Sequence, residues 1–276
     1  MQKIYEIILE LKSPLQIGAG TLGMIEKTEL FIPGRVLWGA FVSTLVQKHF
    51  IMPGKDIYLQ VGNSLKKNDF STFFPSLDGG KSDLKPVFEK NLRDWIIVNK
   101  KFSKTESEMN SLLLCSVASN ATNPERMATD DSSLHTTDMI SQYVNDGFKK
   151  NIPVTFKGYL SLPASIIIND KKLSLGEKNI IEIINSMRIG GGRKRGWGII
   201  ECVNIQKDKS DIDFEYFESK NHKYNRREIP VTENDANING RAYLAVYREY
   251  DNNSNRGFGQ KFSEPILSWR IGSCFN

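Results

Sequence analysis

Short segments of alternating or β-branched apolar residues dominate this chain, and apolar residues recur at helical spacing in two places. Residues 3–11 are rich in isoleucine, leucine and tyrosine and read as a strand that ends at Ser13-Pro14. Residues 15–23 are glycine-rich and read as a loop, and an apolar stretch follows at 28–32. Pro33-Gly34 forms a turn, and from Arg35 to Phe50 the spacing of Val36, Leu37, Ala40, Phe41, Leu45 and Val46 predicts an amphipathic helix. A second helix is predicted from Ser174 as N-cap, with Glu177 completing a capping box and Ile180, Ile181, Ile183, Ile184 and Met187 forming its apolar stripe. Residues 69–80 read as an aromatic strand or loop closed by a turn, and 95–98, 153–161, 197–205 and 241–250 read as strands. Polar residues dominate from 102 to 146, where 120–133 suit no regular buried element, and residues 208–239 are charged and irregular. The sum is an α+β chain of antiparallel strands backed by helices, since a doubly wound sheet needs more helices than the pattern supplies.

Charge sharpens this picture in one place. Over 276 residues the net charge is +5 and the pI about 8.9, which permits a nucleic-acid partner without demanding one. Residues 188–198, however, pack five glycines and four cations, Arg188, Arg193, Lys194 and Arg195, with no acid among them. Gly190, Gly191 and Gly192 let the backbone expose N–H donors to an anion, the cations supply matching charge, and Trp197 adds a flat apolar face. That combination points to a polynucleotide backbone. The loop follows a helix and leads into a strand, the reverse of a dinucleotide-binding loop, and no Gly-Lys followed by Ser or Thr is present for a P-loop. The alternative is a tight connection whose glycines only turn the chain.

Other candidates are weaker. Arg35 stands in the first turn of a helix, where the dipole favours an anion, so it either faces solvent or meets a phosphate. Residues 222–227 form a second cationic patch that suits a solvated surface. His49 sits at a helix end, and His135 lies near Asp130, Asp131 and Asp138 without matching a metal spacing. Cys115, Cys202 and Cys274 are far apart, which suggests a reducing cytoplasm and neither a metal nor a cofactor. No apolar run approaches a membrane span.

Three features in this order resemble the RAMP superfamily of CRISPR-associated RNA-binding proteins: the strand leading into Ser13-Pro14-Leu15-Gln16-Ile17-Gly18, the Ile32-Pro33-Gly34 turn opening a helix that carries Gly39, and the glycine loop of 190–198. Residues 126–143 look like the family's thumb. Arg35 replaces the usual small residue after the turn, and Trp38 the cation before the glycine. The resemblance implies a ferredoxin-like, RNA-recognition-type domain over 1–205 with a thumb-like insertion at about 51–152, and a C-terminal extension over 206–276. It implies a guide-RNA (crRNA)-binding subunit of a cytoplasmic antiviral type III effector, with target RNA and other CRISPR effector subunits as partners. RNA contacts are expected from Gly34, Arg35, Arg188, Gly190, Gly191, Gly192, Arg193, Lys194, Arg195 and Trp197. Residues 73–76 and the chain's size look like the subunit that caps the guide's 5′ tag, and a repeated backbone subunit is the close alternative. Some backbone subunits cleave target RNA through an aspartate where this chain has Glu26. The enzymatic alternative is therefore a RAMP-type endoribonuclease using Glu26 or His135, and a third reading is a scaffold whose basic loop docks a protein.

Overall fold

The computed structural model describes all of the chain except residues 1, 52–53, 90–91, 99, 101, 121, 124–127, 130–133, 148–151, 209–211, 220–221, 233–237, 246–247, 250–260, 263 and 276. The first strand, β1 (Gln2–Leu11), is central to a four-stranded sheet. It pairs with β15 (Ile200–Asp208) on one side and β12 (Thr155–Pro163) on the other, and β12 carries β4 (Phe74–Ser76) on its far edge. Every pairing is antiparallel, so β1 runs parallel to β4, and β12 parallel to β15. Parallel strands cannot be joined by a hairpin and need a crossover. Two helices supply it: α1 (Gly34–His49) between β1 and β4, and α4 (Glu177–Ser186) between β12 and β15.

Alternation along β1 decides which face the helices cover. Tyr5, Ile7, Leu9 and Leu11 are buried in one cluster with Leu37, Phe41 and Leu45 of α1 and Ile180, Ile183 and Ile184 of α4. Opposite Ile7 in the register stands Gly158, where a Cβ would lie 2.3 Å from the Phe73 ring. The other face mixes buried Ile8 and Phe74 with polar groups, where Glu6 accepts from Lys157 at 3.0 Å and from the Tyr159 hydroxyl at 3.2 Å.

A second sheet grows from the end of β1. Its order is β2 (Gly18–Leu22), β3 (Ile25–Thr28), β11 (His135–Ile140), β8 (Leu114–Ser119), and β3 with β11 is parallel while the others are antiparallel. Between β8 and β11 two short strands pair, β9 (Thr122–Asn123) and β10 (Ala128–Thr129). A three-stranded sheet of β5 (Lys85–Glu89), β6 (Leu92–Ile96) and β7 (Ser103–Thr105) leads into α3 (Glu106–Leu113), which a reciprocal capping box between Thr105 and Glu108 opens. Trp38 of α1 packs over Gly62 of α2 (Lys55–Ser64). The hairpin of β13 (Ser165–Ile168) and β14 (Lys171–Ser174) turns through Asn169 and Asp170, both left-handed, the geometry favoured in tight hairpins.

After β15, the described residues from 212 onward fold back on this frame. One sheet is ordered β16 (Tyr216–Ser219), β17 (His222–Asn225), β24 (Cys274–Phe275), β19 (Ile238–Asn239). Another is ordered β18 (Ile229–Pro230), β23 (Ile266–Trp269), β20 (Ala242–Ala245), and β21 (Arg248–Glu249) pairs with β22 (Lys261–Phe262). Phe217, Tyr224 and Cys274 share a small second core with Val87 and Ile96. The whole is a mixed α/β molecule with mostly antiparallel sheets and, among the described residues, four α-helices. None of those helices is long and apolar enough to cross a membrane.

Several expectations change. Ser174 does not cap α4: it pairs with Ser165 at the end of β14, and Gly176 is the N-cap. The stretch 15–23 is not all loop, because β2 forms in it, and β3 forms just before the apolar stretch 28–32, sharing only Thr28 with it. Residues 208–239 contain the ordered β16–β17 hairpin. The strand expected at 241–250 forms as two pieces, β20 and β21. Part of the expected thumb, including Arg126, Asp130 and Asp131, lies outside the described residues.

Candidate nucleic-acid interface

The glycine loop is a closed excursion between α4 and β15. At its neck the Ile189 amide donates to the Gly198 carbonyl at 3.0 Å, and the Gly198 amide to the Pro14 carbonyl at 2.9 Å. The loop is clamped against the first loop as well, since the Gly191 amide donates to the Gln16 carbonyl at 2.9 Å. At Gly190 a Cβ would lie 2.2 Å from that same carbonyl oxygen, so only glycine allows the approach. Of the three amides that the sequence offered to an anion, that of Gly191 is thus used internally.

The tip behaves differently. Gly192 is left-handed (φ 63°, ψ 17°) and Arg193–Arg195 form one 3-10 turn. A left-handed residue followed by a right-handed one turns successive N–H groups into one concavity, a nest that suits an anion. Among the described residues the amides of Gly192, Arg193 and Lys194 have no hydrogen-bond partner. Arg193, Lys194 and Arg195 are exposed, and among the described residues none is ion-paired. Trp197 fixes the tip rather than projecting from it. Its ring occupies the space of a Gly192 side chain, with Cε3 1.9 Å from where that Cβ would be, and the Arg195 guanidinium lies 5.4 Å from its centroid. Arg188 is exposed at the foot of the loop and donates to the Met187 carbonyl at 3.1 Å.

The fold brings this loop to the other predicted contact. Gly190, Gly191, Gly192 and Arg193 line a cavity of about 620 Å³ together with Arg35. Gly34 itself is buried, because the Phe70 carbonyl oxygen lies 2.0 Å from where its Cβ would be. The cavity's remaining walls come from far along the chain. Glu228 pairs with Arg35 and accepts from the Tyr243 hydroxyl, and Arg270 stacks 5.0 Å from the Tyr243 centroid. Glu29, also on the wall, is held by Arg93 at 2.9 Å and Arg270 at 3.5 Å. Glu228, Tyr243 and Arg270 escaped the sequence reading: Tyr243 falls in the strand expected at 241–250, and nothing local to any of the three marks it as facing the glycine loop.

The acid-base candidates sit on the second sheet, whose strand β2 brings Gly18, Ala19 and Gly20 to the same cavity wall. Glu26 is half-buried and accepts from Gln16 Nε2 and Thr137 Oγ1, each at 3.1 Å. His135 opens β11 opposite Ser119. Asp138, three residues on, points to the opposite face, where Lys27 at 2.8 Å and Ser116 at 2.6 Å hold it. Burial alone works against that carboxylate's charge, but the two hydrogen bonds win and keep its pKa below the usual range. Among the described residues no three His, Cys, Asp or Glu side chains gather as a metal site. His49 is half-buried, its pKa lowered by burial and by Lys171 and Lys48. In the second cationic patch, Arg226 lies over the Phe217 ring at 5.8 Å and donates to the Tyr216 carbonyl, so it belongs to packing as much as to the surface.

No family model matches the sequence, and no curated protein matches it. Solved structures do. The chain is similar to a chain in the cryo-EM structure of the type III-B Cmr-beta bound to cognate target RNA and AMPPnP, with a TM-score of 0.54 and 11% identity over 98% of this chain and 85% of that one. A chain in the structure of Cmr-beta bound to cognate target RNA gives the same TM-score and coverage at 9% identity. Likeness at such identities is a likeness of fold, and it shows that this chain shares its fold with a polypeptide of the type III-B Cmr-beta assembly.

Proposed function

We propose that the chain is a guide-RNA-binding subunit of a type III CRISPR ribonucleoprotein effector, with a ferredoxin-like RAMP domain over about residues 1–205. The order strand, helix, strand, strand, helix, strand, with sheet order β15-β1-β12-β4, supports the ferredoxin-like assignment. The shared fold over nearly the whole chain supports the effector assignment, and with it target RNA and other effector subunits as partners. One observation carries the RNA site: the tip of the glycine loop presents in a nest three amides that, among the described residues, have no hydrogen-bond partner, beside three exposed cations that, among the described residues, have no ion-pair partner.

Each part has a distinct task. The nest receives a non-bridging phosphate oxygen through N–H donors already oriented, so little ordering entropy is lost on binding. Arg193, Lys194 and Arg195 neutralise neighbouring phosphates and displace their counterions. Trp197 and Gln16 hold the loop in shape from either side. Contacts of this kind grip a sugar-phosphate backbone and leave base edges for pairing with a target.

Fluorescence anisotropy with a single-stranded RNA over a salt series tests this. Removing three phosphate contacts in an Arg193→Ala, Lys194→Ala, Arg195→Ala variant is expected to flatten the slope of log K against log salt by about 2. Equal slopes for variant and wild type rule the loop out as the phosphate site.

A further inference from the structure

A second cavity, of about 740 Å³, lies on the far side of the Arg35–Glu228 pair. Trp38 and Phe70 line it from the first part of the chain, and Phe214 and Tyr216 from the extension, with Lys67 and Arg227 beside them. We propose that this cavity takes one unstacked nucleobase of the RNA whose backbone the glycine loop holds, an inference that rests on the RNA-binding reading above.

Continuity is the first argument. Pro33, Arg35 and Glu228 line both cavities, so a strand lying along the glycine loop reaches the second cavity across the Arg35 guanidinium alone. Chemistry is the second. Arg227 pairs with Glu215 and Arg35 with Glu228, while Lys67 has no ion-pair partner among the described residues, so the rim is net positive over aromatic walls. Flat apolar walls under a positive rim fit a base with its phosphate attached better than they fit a purely apolar side chain. Size is the third, since about 740 Å³ lies in the range of sites that enclose a small organic group. On binding, the phosphate between the two cavities takes the place of Glu228 on Arg35.

A single-abasic scan tests the proposal. The full-length protein is titrated with a set of RNAs, each lacking one base at a different position. Wild type is expected to show one position where the loss lowers affinity roughly tenfold, the size of one base stacked on aromatic walls. Ile266→Trp, which fills the cavity from an exposed position, and Phe214→Ala, which removes a wall, are each expected to abolish that penalty. Melting curves of both variants confirm that they fold. The Arg193, Lys194 and Arg195 to alanine variant is expected to weaken all the RNAs alike while keeping the tenfold penalty. A flat profile in wild type, or a penalty unchanged in both cavity variants, overturns the base pocket and leaves the loop reading standing; an apolar segment of a partner protein as the true occupant gives that flat profile. If no RNA binds, both fall.

Discussion

The two stretches that the sequence marked as RNA contacts, the tip of the glycine loop and the N-terminus of α1, line one cavity in opposite electrostatic states. At the tip, Arg193, Lys194 and Arg195 are exposed and unpaired among the described residues, above three free amides. At α1, Gly34 is buried under the Phe70 carbonyl, and Arg35 is engaged by Glu228 of the extension. The tip is built to bind at once, whereas Arg35 must exchange one anion for another. A cation count alone treats the two as equal, and the difference lies in what the rest of the chain places opposite each.

That comparison breaks most severely at Gly192. Gly192→Ala puts a methyl into the Trp197 ring and forces an alanine into the left-handed region, at about 1–3 kcal/mol. The nest is lost although every cation remains, so RNA affinity is expected to fall by an order of magnitude or more, read by anisotropy beside a melting curve. A loss no larger than twofold shows that the cations act without the nest.

Glu228→Gln sharpens it from the other side. Freed of its carboxylate partner, Arg35 is expected to meet its phosphate without first giving up Glu228, raising RNA affinity several-fold. With no displaced carboxylate left to take up a counterion, the salt slope is expected to steepen by about 0.7. Arg35→Ala in the same assay is expected to cancel the gain. An unchanged slope in Glu228→Gln means Arg35 is a strut between the two parts of the chain and not a phosphate contact.

The smallest effect is expected at Asp138, which lies on the second sheet but does not line the cavity. Its folded pKa is depressed, so its contribution to stability is full above the unfolded value near ~3.9 and is lost as pH falls through the lower folded value. Asp138→Asn is expected to cost about 1 kcal/mol at neutral pH, and melting temperatures of variant and wild type are expected to converge as pH falls through the lowered folded value of Asp138. RNA affinity at neutral pH is expected to stay within twofold, and a larger change makes Asp138 part of the RNA site.

How much of this was legible follows from how local each cause is. β1 and α1 stand out because a nine-residue run rich in β-branched and aromatic residues, or a stripe over four turns, is set by the segment itself. The capping box at Ser174 has the right spacing and fails because hairpin pairing claims Ser174, while Leu175, buried and bonded to the Ala164 carbonyl, carries the chain past it. The true box, Thr105 to Glu108, was present in the sequence but precedes a helix whose buried stripe is only Met109 and Leu113. Strands of two to four residues in the extension are too short for alternation to register. The glycine loop was legible as a basic turn, yet its use of the Gly191 and Gly198 amides depends on Gln16 and Pro14, which only the fold brings near. Glu228 opposite Arg35 is wholly a product of tertiary structure.

The most direct test of the central claim is amide-resolved hydrogen exchange by NMR, with and without a single-stranded RNA. Expected are slower exchange at Gly192, Arg193 and Lys194 on adding RNA and little change at Gly191 and Gly198, which are already bonded within the protein. Protection elsewhere, with those three amides exchanging as fast as in the free protein, contradicts the account.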